Sequence, residues 1–135
     1  MWVVTLVLTT GCASTTDRLA GPVISKFTID PPVATPGGVA RITFEFRSAE
    51  GGLREARLWA KPVRGTWRES VLQESVNRAI ATLGAASQGV VAAAGRHQEQ
   101  YAPEQRGTTI LYELRVTDRA GRTSNPLTVT LDVHM

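Results

Sequence analysis

The sequence predicts a mainly β chain, an antiparallel β-sandwich of two sheets interrupted by an inserted helical segment over about residues 68–83. Three observations carry that prediction. Short runs of alternating apolar and polar residues recur towards both ends of the chain, and a period of two marks a strand buried on one face only. The runs are separated by turn-forming clusters, Pro36-Gly37-Gly38, Gly51-Gly52 and Asp118-Arg119-Ala120-Gly121, which favour hairpins and tight connections. Between them lies one stretch, Val71, Leu72, Val76, Ala79, Ile80 and Leu83, whose apolar residues recur at helical spacing instead.

The first strand is expected from Val23, with Val23, Ser25, Phe27 and Ile29 on one side and Lys26 and Thr28 on the other. It stops at Asp30-Pro31-Pro32, where proline removes the donors a ladder needs. After Pro36-Gly37-Gly38 a second strand sets Ile42, Phe44 and Phe46 inward against Arg41, Thr43 and Glu45. A third follows Gly51-Gly52, with Ala56, Leu58 and Ala60 facing in and Arg57, Trp59 and Lys61 facing out. For the helix, Thr66-Trp67-Arg68-Glu69 has the form of a capping box and Gly84 that of a stop signal. Residues 84–102 contain Val90, Val91 and three consecutive alanines, which fit a second helix or a weak strand equally well.

The C-terminal end is the clearest. Ile110, Tyr112, Leu114 and Val116 alternate with Glu113, Arg115 and Thr117, and Leu127, Val129, Leu131 and Val133 alternate with Thr128, Thr130 and Asp132. Between them Asp118 to Gly121 turns the chain, the aspartate bonding its own backbone and the glycine supplying a positive φ. The run Tyr112 to Asn125, with Pro22-Val23-Ile24 and Pro36-Gly37-Gly38, resembles the immunoglobulin-like and fibronectin type III-like domains of bacterial surface proteins. That resemblance implies that the two early strands are A and B, the segment from Leu53 is C, and the last two are F and G. Tyr112, two residues before Leu114, resembles the tyrosine-corner position at the start of strand F. These motifs specify a fold rather than an activity.

The first residues follow another logic. Trp2-Val3-Val4-Thr5-Leu6-Val7-Leu8 is apolar and uncharged but far shorter than the roughly 20 residues that cross a bilayer, so a secretory signal fits better than a membrane span. It ends in Leu8-Thr9-Thr10-Gly11-Cys12, which carries the only cysteine. The arrangement resembles the lipobox of bacterial lipoproteins, in which the cysteine becomes diacylated. Two departures stand out: Thr9 occupies a position where leucine is commonest, and no Lys or Arg precedes the apolar run, so the true start lies upstream or the amino terminus alone supplies the charge. The competing expectation is a buried N-terminal strand with an inert cysteine.

The resemblance implies a signal peptide over 1–11, a lipidated tether over 12–21 and a sandwich domain over 22–135. It implies palmitate-type acyl chains on Cys12, and Ala13 after it favours the outer over the inner membrane of the cell envelope. The segment after the cysteine, Ala13 to Gly21, holds the domain no more than about 30 Å from the lipid surface.

The net charge of +3 is spread along the chain among 12 acids, without the basic stripe interleaved with aromatics that a nucleic-acid partner requires. A lone cysteine makes no internal disulfide. His97 and His134 are the only histidines, and neither has a neighbouring nucleophile or metal-ligand spacing. No catalytic residue, metal or cofactor is therefore expected. Asp30, Glu50 and Asp118 lack an Asp-x-Asp pair and read as turn formers rather than calcium ligands.

The candidate binding surface is Trp59, Arg57, Glu113, Arg115 and Trp67, because strand C pairs with F and tryptophan and arginine dominate interface anchors. The bland alternative for Trp59 is that the inserted helix folds over it as a second core, and for Trp67 that it is a packing anchor. These residues point to a membrane-anchored, non-enzymatic binding or assembly component with an envelope protein partner. The alternative is a carbohydrate- or peptidoglycan-contacting module in which Trp59 or Trp67 stacks on sugar.

Overall fold

In a computed structural model the described residues are 21–48, 51–63, 65–97 and 108–133; Cys12, Glu50 and His134 lie outside them. Among these residues eight strands and one helix follow in chain order: β1 (Val23–Asp30), β2 (Val33–Ala34), β3 (Val39–Arg47), β4 (Leu53–Pro62), β5 (Arg68–Glu69), α1 (Gln73–Ala81), β6 (Gln88–Arg96), β7 (Thr109–Asp118) and β8 (Leu127–Val133). One sheet runs β1-β3-β6 and the other β2-β8-β7-β4-β5. Their inner faces interleave in a single core, with Ile42, Phe44 and Phe46 of β3 on one side and Leu58, Tyr112, Leu114 and Val116 on the other. Full burial of each such side chain stabilises the fold by roughly 1.5–3 kcal/mol.

The topology is that of an immunoglobulin-like sandwich. β1 pairs antiparallel with β3, the chain crosses between the sheets at Pro31-Pro32 after a cis Asp30–Pro31 bond, and β2 then joins the other sheet parallel to β8. β3, β4, β7 and β8 stand where strands B, C, F and G were expected. Tyr112, at the tyrosine-corner position, is fully buried.

Three expectations are corrected. The alternation in β1 is not continuous: Ile24, Phe27 and Ile29 are buried while Val23 and Ser25 are exposed. One extra residue sits between Ser25 and Thr28, whose partners Glu45 and Thr43 are only two apart, and Lys26 occupies this bulge at φ 55°. A single insertion swaps which parity faces the core. Because β-branched side chains tolerate positive φ worst, Lys26→Val is expected to cost about 1–2 kcal/mol, whereas Lys26→Gly stays within about 1 kcal/mol of the parent. Urea midpoints of the two variants check this, and equal stability would remove the strain argument.

The helix is present but shorter than 68–83. Arg68 and Glu69 form β5 opposite Ala60 and Trp59, and the Ser70 N–H donates to the Leu58 carbonyl at 2.8 Å. The expected capping box is absent. The helix begins after Leu72 with no side-chain cap, and the Ser70 hydroxyl accepts the Leu72 N–H at 3.1 Å. The chain follows the free edge of β4 for as long as it can pair with it, and only then coils.

The undecided stretch resolves as β6, paired with β3 over nine register positions from Val39↔Arg96 to Arg47↔Gln88; residues 98–102 lie outside the described set. α1 packs on both β4 and β6, sending Leu72, Val76 and Ile80 into the common core. It closes the side of the sandwich between the two sheet edges. Contact with β6 is close: a Cβ at Gly95 would lie 2.7 Å from the Ser75 hydroxyl and 3.1 Å from a Leu72 methyl.

Along β4 the helix replaces a strand with side chains. Asn77 accepts from the Ala56 N–H at 2.6 Å and donates to the Ala56 carbonyl at 3.2 Å, while Gln73 accepts from the Leu58 N–H at 2.8 Å. A sheet edge that would otherwise recruit another chain is thereby satisfied.

Candidate binding surface

Because α1 lies at the side of the sandwich, it does not form a second core over the outer face of the five-stranded sheet. That face is built by register. On β4, Glu55, Arg57, Trp59 and Lys61 take the outward positions, since Ala56, Leu58 and Ala60 are buried. Opposite them on β7 stand Thr117, Arg115, Glu113 and Leu111 in that order. Directly paired residues share a face, so four of the five expected surface residues come together: Arg57 faces Arg115, and Trp59 faces Glu113.

The tryptophan row extends further. Glu69 of β5 is the other register partner of Trp59, and Thr128 of β8 lies beyond Glu113, giving Glu69, Trp59, Glu113 and Thr128 across four strands. Sequence reasoning missed Glu69 because it sits in an apparent capping box, and no local signal separates the two roles. Trp59 is half-buried. Trp67 stands one residue before β5, beyond the turn in which the Gly65 N–H donates to the Pro62 carbonyl at 3.0 Å, and is 42% exposed.

Charges on this face are unevenly met. The Arg115 Nε donates to a Glu113 carboxylate oxygen at 3.0 Å. Arg57 is exposed and, among the described residues, has no acidic partner. The edge of the face is also open. β2 pairs with β8 only at Asp132 and Val133, so between Leu127 and Leu131 the outer edge of β8 carries no partner strand among the described residues.

The remaining expected polar residues serve structure. The Asp118 carboxylate, fully buried, accepts the N–H groups of Ala120 and Arg122 at 3.0 and 2.9 Å and pairs with the Arg122 guanidinium at 3.0 Å. His97 is buried, and its backbone joins the ends of β3 and β6 through Gly37 and Gly38. No group of three potential metal ligands occurs among the described residues, and no described helix is long and apolar enough to cross a membrane. Grooves lined by described residues lie elsewhere. One of about 650 Å³ lies by Val23, Phe46 and Val90, and one of about 520 Å³ by Glu69, Glu74 and Arg96; neither includes Trp59, Arg57 or Arg115.

No protein-family model matches the chain and no curated protein matches it in sequence. Solved structures do match in shape. A Niemann-Pick type C2 protein from Japanese carpenter ant superposes with a TM-score of 0.55 at 5% identity, covering 84% of this chain and 92% of that one. The sporulation control protein of Bacillus subtilis gives 0.51 at 7% identity and covers 85% of this chain, which spans only 50% of that one. The SrpA adhesin of Streptococcus sanguinis gives 0.46 at 20% identity, covering 84% of this chain and 57% of that one. The likeness to the first two, at these identities, speaks for the two-sheet fold alone.

Proposed function

We propose that the chain is a membrane-anchored, non-enzymatic binding or assembly lipoprotein of the bacterial cell envelope, its outer membrane in the first instance. An acylated Cys12 holds it to the membrane, and the outer face of the β5-β4-β7-β8 sheet recognises a protein partner. The observation that carries the recognition half is the row Glu69, Trp59, Glu113 and Thr128, with Arg57 and Arg115 in the next row. It is an aromatic among charges on a flat face, left uncovered by the helix and bounded by a strand edge that is open among the described residues. A free edge and a flat face suit a polypeptide, because β-strand addition needs unpaired main-chain groups at a sheet edge. The anchoring half rests on Leu8-Thr9-Thr10-Gly11-Cys12, since two or three acyl chains give lasting attachment where one does not. A second reading, contact with carbohydrate or peptidoglycan, draws on Trp67, exposed at the hairpin beside this face.

Two measurements test the proposal. Metabolic labelling with palmitate should mark the parent and leave Cys12→Ala unmarked and released from the membrane fraction; an unlabelled parent ends the lipoprotein reading. A photo-crosslinking residue at position 59 should give one protein adduct in intact envelopes, and the same residue at Ala92, exposed on the opposite sheet, should not. Adducts to glycan strands alone would shift the reading to the carbohydrate module.

A further inference from the structure

We infer that Arg57 and Arg115 form a carboxylate clamp, and that the partner of this face presents an acidic side chain from a polypeptide segment. The inference rests on the reading of the outer face given above and specifies its chemistry. Arg57 and Arg115 are direct register partners on adjacent strands, where Cβ atoms stand roughly 5 Å apart and like charges oppose folding. Glu113 meets only the Nε of Arg115, and Arg57 has no carboxylate among the described residues. Two guanidinium ends therefore project side by side from a rigid pair of central strands, with donors to spare.

A bound carboxylate resolves the repulsion. Arginine presents its donors in a planar fork that matches a carboxylate, and such charge-assisted bonds are about twice as strong as neutral ones. A folded protein that keeps an unfavourable pair on an otherwise consistent sheet is expected to gain function from it. Three features of the face choose a polypeptide as the bearer of the acid. Trp59, one outward position along β4, lies about 7 Å from Arg57 and offers an apolar floor to a neighbouring side chain. Glu69 and Glu113 flank that floor, which disfavours a uniformly anionic surface such as an acidic bilayer. The edge of β8 at Thr128 and Thr130, without a partner strand among the described residues, offers main-chain donors and acceptors that only another main chain matches in spacing.

The test uses the full-length chain in detergent and hexaglutamate as the probe, with hexagalacturonate, inorganic phosphate and phosphatidylglycerol vesicles as competing arms. Hexaglutamate should move the amide resonances of Arg57, Arg115 and Trp59 and quench tryptophan emission. Binding should fall about tenfold or more in Arg57→Gln/Arg115→Gln and weaken with salt. The same double variant should melt higher than the parent, because the repulsion is gone. Affinity and stability moving in opposite directions separates a binding role from a structural one.

Unchanged affinity in the double variant, or shifts elsewhere on the molecule, would overturn the clamp. Equal or tighter binding of phosphate, vesicles or hexagalacturonate would overturn the assignment to a polypeptide. Crosslinking from position 59 keeps this separate from the broader proposal. If the adduct persists in the double variant, the face still binds and the clamp is wrong; if it is lost there, the clamp is supported. A parent that gives no adduct refutes the face itself.

Discussion

Replacing Asp118 with alanine is expected to lower stability by about 3–5 kcal/mol, the loss typical of breaking a buried, hydrogen-bonded ion pair. The Asp118 side chain is fully inaccessible and holds both the backbone and the guanidinium of Arg122. Its removal leaves a cation and two backbone donors to find water at the end of β7. The effect spreads along the turn. Arg122 returns its carbonyl to the Asp118 N–H at 2.9 Å, the Ser124 N–H donates to the Val116 carbonyl at 2.8 Å, and the Ser124 hydroxyl accepts the Val116 N–H at 2.9 Å. Asn125 then grips Ile24 through both its amide oxygen and nitrogen, at 3.0 and 3.1 Å. One aspartate thus orders the segment that fastens β1 to the opposite sheet. Asp118→Asn keeps an acceptor for the two N–H groups and should cost about half as much. Denaturant midpoints at unchanged slope measure both, and a loss below about 1 kcal/mol for the alanine variant would show that the turn is held by its backbone alone.

The aspartate's role was legible because turn chemistry is local: Asp118 and Gly121 sit where their own backbone needs them. β4 and β7 were legible for a similar reason, each with one buried and one exposed face, and that alternation, with the pairing of strands C and F that the immunoglobulin-like resemblance implies, puts Arg57, Trp59, Glu113 and Arg115 on a common surface. Where the reading failed, a distant partner decided the outcome. Residues 88–96 are poor strand formers, with Gly89, Gly95 and three alanines, and become β6 only because β3 offers nine consecutive pairing positions. At position 95 a small residue is required, since a Cβ there would lie 2.7 Å from the Ser75 hydroxyl of α1. Arg68 and Glu69 carry the chemistry of a helix start but meet the unpaired edge of β4, and edge pairing overrides a cap. The bulge at Lys26 has no composition signal, because lysine is neither a glycine nor an asparagine. Which row of the outer face Glu69 joins follows from that same edge pairing and was invisible without it.

The bonds that α1 makes to β4 lead to the second large effect. Asn77→Ala should cost about 2–4 kcal/mol, because it strips a partner from both the N–H and the carbonyl of Ala56, each costing about 1–3 kcal/mol when left unmet. Gln73→Ala removes a single acceptor, that of the Leu58 N–H, and should cost less. Asn77→Asp discriminates between the two halves of the contact: it keeps the acceptor for the N–H but sets a carboxylate against the Ala56 carbonyl, and should fall at or below the alanine variant. If water satisfied this edge instead, all three variants would lie within about 0.5 kcal/mol of the parent. The double variant Gln73→Ala/Asn77→Ala should also associate on heating, since the central part of β4 would then present bare strand groups at a sheet edge. Light scattering during thermal unfolding measures that association. Among the described residues β8 carries no partner strand between Leu127 and Leu131, while β4 is covered by two amide side chains, and under the proposed reading that asymmetry assigns strand addition to the β8 side of the sheet. Exposing β4 by the double substitution should therefore create a competing site, and crosslinking from position 59 should lose its single adduct in favour of self-association.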